Sequence, residues 1–158
     1  MDLGPPSGDG WTSYGFRRSA PTSSFLADSD RVRLRFWWHE SREQFEARAW
    51  FGPGAEGPPG HIHGGAIFAV MDEVMGAAAW AGGMKVFAAH VAIRYTEMLP
   101  LDNIVKVQVW QDRTEGRKIW MKSGLKLNDT VYAKAEGLFI QPSPEKLSLF
   151  RDLGMQPR

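Results

Sequence analysis

The stretch Gly65-Ala66-Ile67-Phe68-Ala69-Val70-Met71-Asp72-Glu73-Val74-Met75-Gly76-Ala77-Ala78-Ala79-Trp80-Ala81 holds only two charged residues, Asp72 and Glu73. Its length and its Ala, Met and Ile content predict one helix. Apolar residues occupy nearly every side, so this helix has to be surrounded by other elements. Gly82-Gly83 ends it, and the breaker-dense segment from Gly52 to Gly60 precedes it as a loop.

Strands flank it on both sides. Val32, Leu34, Phe36 and Trp38 alternate with Arg31, Arg33 and Arg35, the pattern of a half-buried strand. Phe45, Ala47, Ala49 and Phe51 alternate with Glu46 and Arg48 in a second, joined to the first by the short link Glu40–Arg42. After the helix come strands over 89–95, 104–111, 118–127 and 130–140, with turns at Glu115-Gly116 and Asn128-Asp129. Two strands, one apolar helix and four strands make an α+β chain. An antiparallel sheet this long hides a helix only by curling round it. Residues 1–30 read as an irregular arm, either a structureless tail or a cap pinned to the body by Trp11, Tyr14, Phe16, Phe25 and Leu26. Residues 31–140 form the domain. In the tail, 141–158, Ser143-Pro144-Glu145 opens a short helix carrying Leu147, Phe150 and Leu153, with Gly154 as its stop.

Composition narrows the function. The chain has 158 residues, enough for one domain of the usual ~100–200. Lys+Arg is 19 and Asp+Glu 18, a net charge of +1 that lacks the basic excess of a nucleic-acid binder. Cysteine is absent, which excludes disulfides, thiolate metal sites and a Cys nucleophile. The first ten residues show no secretory signal, and no apolar run is long enough to span a bilayer. A soluble, cytoplasmic domain is expected.

Chemistry concentrates where the helix opens, at Gly60-His61-Ile62-His63-Gly64-Gly65-Ala66-Ile67. Free N–H groups at a helix start favour developing negative charge, and glycines let a substrate approach the backbone. A tight loop-to-helix turn uses the same glycines, so the residues alone leave both readings open. Asp72 shares a helix lane with Gly65, Ala69, Gly76 and Ala79, all small. A carboxylate there is paired, solvated by a pocket, or raised in pKa. The lane leaves room beside it for a substrate or another helix. Glu73 lies about 100° further round, where a salt bridge or solvent suits it. His61 and His63 lack further ligands for a metal, and no metal or cofactor is expected. Phosphate-cradling and serine-nucleophile motifs are missing as well.

With His63-Gly64-Gly65, and Asp72 nine residues after His63, the chain resembles the hotdog-fold acyl-CoA thioesterases. Pro58-Pro59-Gly60-His61-Ile62-His63-Gly64-Gly65-Ala66-Ile67 is similar to the Pro-Pro-Gly-x-x-His-Gly-Gly-Ala-Ile of one branch. That branch contains the phenylacetate-pathway enzymes and the mitochondrial thioesterase superfamily members of animals. Glu115-Gly116-Arg117-Lys118 and the segment Glu136 to Ile140 resemble its later strands. The resemblance implies a cofactor-free hydrolase of acyl-CoA. Asp72 would be the general base on water or, alternatively, the nucleophile, Gly64 N–H would bind the thioester carbonyl oxygen, and His63 would shape the loop. Gly65, Arg94, Arg117 and Lys118 would contact substrate. Three positions depart from the pattern: Gly57 replaces an Asn, Ala88 replaces a Ser or Thr, and Thr96-Glu97-Met98 follows Tyr95 in place of a basic residue and Pro. An acyl-carrier-protein substrate, or a domain that binds acyl thioesters without turnover, is the alternative.

Assembly follows from distance. Gly64 and Asp72 on one straight helix lie roughly 12 Å apart along the axis, too far for one small carbonyl to touch both. A second helix running antiparallel alongside closes the gap, and hotdog relatives are built as dimers, often paired into tetramers. An obligate homodimer is expected, with His63 and Gly64 of each site from one chain and Asp72 from the other.

Overall fold

The computed structural model describes residues 3–15, 25–39, 41 and 44–152. Its elements are β1 (Trp11–Tyr14), β2 (Val32–His39), β3 (Gln44–Phe51), α1 (Gly64–Ala81), β4 (Phe87–Tyr95), β5 (Ile104–Glu115), β6 (Lys118–Leu127), β7 (Thr130–Ile140) and α2 (Pro144–Asp152). The strands form one antiparallel sheet in the order β1-β2-β3-β5-β6-β7-β4. Helix α1 touches every strand from β2 to β7, so the sheet curves round it.

The core is what the alternation demands. Ile67, Val70, Met71, Val74, Met75, Ala77, Ala78 and Ala79 of α1 are buried. Opposite them lie Leu34 and Phe36 of β2, Val105 and Val107 of β5, Ile119 and Leu125 of β6 and Phe139 of β7. Ala47, Ala49, Ala133 and Ala135 are also buried, small side chains on the strands that surround the helix.

Several elements differ from the sequence expectation. A strand, β1, lies inside the arm and extends the sheet, pairing Trp11 with His39 and Tyr14 with Phe36. Trp11 meets the His39 ring edge-on at 5.2 Å, and Tyr14 meets Phe45 at 5.8 Å. Strand β5 continues past residue 111 through an irregularity between Gln111 and Arg113, and closes against β6 at Glu115–Lys118. The helix is not enclosed on all sides. Gly65 is exposed, and Phe68, Ala69, Asp72, Glu73 and Gly76 are half-buried, forming an open stripe. Phe16, Glu40, Arg42, Leu153 and Gly154 lie outside the described residues. Among the described residues, no helix is long and apolar enough to cross a membrane.

Strand β4 ends the sheet, and among the described residues no strand pairs with its outer edge. Phe87 on it is 50% exposed and Tyr95 46%, with Met98 just beyond at 58%. The direction of α1 relative to β4 also matters. Gly64 sits beside Tyr95, whereas a Cβ on Gly76 would lie 3.8 Å from Phe139, whose strand partner is Ala88. The helix therefore runs from the Tyr95 end of β4 toward its Phe87 end.

Phe139 is 2% exposed and packs between α1 and the sheet. Phe139→Ala is expected to lower unfolding stability by about 3–5 kcal/mol, the usual cost of an aromatic cavity, read from urea denaturation.

Candidate active site

The loop before α1 is closed by its own backbone. Gly57 N donates to His61 O at 2.9 Å, and His61 N donates to Pro58 O at 2.9 Å. His63 N donates to Ala55 O at 2.8 Å. Ile62 N donates to Leu99 O and Leu101 N to Gly60 O, which staples the loop to the segment after β4. His61 is used locally, its Nδ1 lying 2.8 Å from Pro59 O. A Cβ on Gly57 would come within 2.8 Å of His63 Cα. The position where the family pattern carries Asn is therefore filled by the backbone of the capping histidine, and only glycine fits without a shift.

His63 is the N-cap of α1, with φ −62° and ψ 132°. Gly65 N donates to its Nδ1 at 2.9 Å. That nitrogen is the acceptor in this contact. Ala66 N and Ile67 N both donate to His63 O, at 3.0 and 3.3 Å. Of the N–H groups in the first turn, Gly64's alone has no acceptor among the described residues. The donor expected of the helix start is thus narrowed to one atom, and Gly65 contributes an absent side chain in place of a free N–H.

Asp72 lies two turns further along the open stripe, without an ion pair among the described residues. Burial raises its carboxyl above the ordinary Asp value. Gly65, Ala69 and Gly76 flank it on the stripe, but Ala79 is fully buried. A lane of residues seven apart drifts about 20° per heptad on a straight helix, which carries Ala79 inward. Glu73 is half-buried beside it.

The remaining expected contacts are dispersed within one protomer. Arg117 and Lys118 stand at the far end of the sheet, where Lys118 pairs with Ile140 and Ile140 with Phe87. Nine residues of β4 separate that end from Tyr95, roughly 26 Å of strand. Arg117 Nη1 donates to Gln141 O at 3.2 Å. Arg94 is exposed and adjacent to Tyr95, but alternation turns it to the opposite face of the sheet. Ala88 is exposed on β4, beside a break in register between Ala88 and His90. One group went unrecognised as part of the site: the Tyr95 hydroxyl donates to Gly64 O at 2.8 Å. These residues are 31 positions apart, and no local periodicity links them.

Comparison with known proteins bears on the fold and its relatives. Residues 59–130 match the thioesterase superfamily. Over that region the chain is similar to the thioesterase superfamily, and its fold is the hotdog fold. The chain is 38% identical over 102 residues to acyl-coenzyme A thioesterase THEM5 of Homo sapiens, covering 62% of this chain and 41% of that protein. It is 30% identical over 129 residues to the same-named protein of Mus musculus, covering 80% and 52%. The chain thus spans about half the length of these curated relatives. A crystal structure of a thioesterase superfamily protein superposes with a TM-score of 0.64 at 28% identity, covering 68% of this chain and 53% of that one. The matched superfamily region of this hotdog domain contains the capped helix start, Asp72 and Tyr95.

The raised Asp72 pKa has a thermodynamic consequence. The folded chain binds this proton more tightly than the unfolded chain does. Stability from this group is therefore full below the ordinary Asp pKa and falls as pH rises through the raised folded value. Asp72→Asn removes that loss. Thermal melts from about pH 3.5 to 8 are expected to show the variant gaining on the wild type as pH rises, and at least equalling its Tm at neutral pH.

Proposed function

We propose that this chain is an acyl-CoA thioesterase acting as a two-fold dimer. The observation that carries the reading is the Gly64 N–H, which among the described residues has no acceptor, beside the capping His63. Bound there, the thioester carbonyl oxygen accepts from Gly64 N–H at the positive end of α1. A water attacks the carbonyl carbon, Asp72 takes its proton, and the oxyanion collapses with cleavage of the C–S bond. The CoA thiolate leaves and collects a proton. A thiolate is a weak base beside an amide nitrogen, so no strong general acid is required.

The second copy supplies Asp72. Two surfaces support this: the open stripe of small residues on α1 and the unpaired, apolar edge of β4. An exposed edge strand of this length is an association hazard unless covered, and a second copy running antiparallel covers both surfaces. The same pairing moves the partner's Arg117 and Lys118 toward this protomer's helix start, which accounts for their separation from Gly64 within one chain. A carrier-protein substrate differs only in what holds the phosphopantetheine, and a parallel assay on acyl-CoA and acyl-carrier protein separates the two. Saturable binding with no thiol release from either would leave a non-catalytic binder.

Thiol release from an acyl-CoA panel tests the base. Asp72→Asn is expected to lower kcat by about 10²–10⁴, while Glu73→Gln costs much less. The acid limb of kcat/KM is expected above the ordinary carboxylate range, because burial raises Asp72 and the base must be ionised.

Complementation tests the shared site. Gly64 is the first helical position, where proline is tolerated, and His63 already has the extended conformation that a following proline requires. Gly64→Pro therefore deletes the N–H at a position compatible with the helix start, while its Cβ meets the Tyr95 ring at 3.3 Å, so the fold of each variant is checked by circular dichroism before mixing. Co-refolding this variant with Asp72→Asn is expected to restore about a quarter of wild-type activity, since half the dimers are mixed and each holds one intact site. No recovery despite proven mixed dimers would assign each site to one chain.

A further inference from the structure

We infer that Tyr95 is a positioning residue which holds the Gly64 N–H in place, an inference that rests on the proposed use of that N–H. Two successive glycines open α1, and glycine is the residue with the most backbone freedom to lose. A donor on such a segment stabilises an oxyanion only if its direction is set before the substrate arrives.

Both peptide planes next to Gly64 are tied. The His63–Gly64 plane is held through its carbonyl, which accepts from Ala66 N and Ile67 N. The Gly64–Gly65 plane is held at both ends. Its N–H goes to His63 Nδ1 at 2.9 Å, and its carbonyl takes the Tyr95 hydroxyl at 2.8 Å. His63 is the local tie. Tyr95 is the tie from the sheet, anchored by the pairing of β4 with β7 at Tyr95–Ala133. The contact also accounts for glycine at this position, because a Cβ on residue 64 would lie 3.3 Å from the Tyr95 ring and hydroxyl. Burial raises the Tyr95 pKa, which preserves the hydroxyl as a donor.

The test compares Tyr95→Phe with a variant carrying 4-aminophenylalanine at 95, which keeps an N–H donor at the ring's para position. Tyr95 is 46% exposed and the change removes one atom, so the fold is retained. For Tyr95→Phe, kcat is expected to fall about 3–10-fold, the worth of one hydrogen bond, with KM within about twofold. The aminophenylalanine variant is expected to recover most of that loss. Amide exchange gives a readout independent of turnover: Gly65 N–H should exchange several-fold faster in Tyr95→Phe and near the wild-type rate in the amino variant. Unchanged kcat, unchanged Gly65 exchange, or equal impairment of both variants would overturn the role. Absence of thiol release from the wild type would overturn the thioesterase reading, while the exchange rates would still decide the clamp.

Discussion

Eight side chains on one helix have to leave water, and most of this architecture answers that requirement. Each large aliphatic side chain among them gains about 1.5–3 kcal/mol on burial, more than helix propensity supplies over the same residues. A flat sheet covers only one side of a helix. The sheet here curves so that six strands reach α1, with alanines buried at Ala47, Ala49, Ala133 and Ala135. The curvature stops short of closure and leaves the stripe through Phe68, Ala69, Asp72 and Gly76 partly open. Burying the helix and presenting Asp72 are the same arrangement seen from two sides.

The chemistry at the helix start depends on which backbone donors remain. An α-helix opens with N–H groups that its own ladder does not use. In α1, His63 absorbs those of Gly65, Ala66 and Ile67 through one ring nitrogen and one carbonyl. What remains is one donor at the positive end of an apolar helix. The loop from Gly52 to His63 exists to hold that cap: its backbone closes on itself, and Gly57 lies against His63 so tightly that no side chain is accommodated.

Asp72 and Gly64 share a helix without being able to share a substrate. Geometry within one chain keeps them apart, and the basic residues Arg117 and Lys118 lie further off still. The open edge of β4 and the open stripe of α1 adjoin the same region. In the proposed dimer a second copy with opposite direction would make these separations productive and would also remove an exposed strand edge from solvent.

Much of this was legible along the chain, because it depends on spacing of a few residues. An apolar stretch with two acids determined a buried helix, period-two alternation determined the strands, and His63-Gly64-Gly65 with Asp72 marked the candidate site. What the tertiary structure decided lies at longer range. Tyr95 meets Gly64 only through the register of β4 on β7 and the path of α1 across the sheet. The arm's Trp11–Tyr14 becomes a strand only because the edge of β2 is there to pair with it. Gly57 is forced by the backbone of His63, a contact made by loop closure. Local periodicity records which face of an element is apolar. It does not record which element that face will meet, since that is chosen by how the whole sheet closes on the helix.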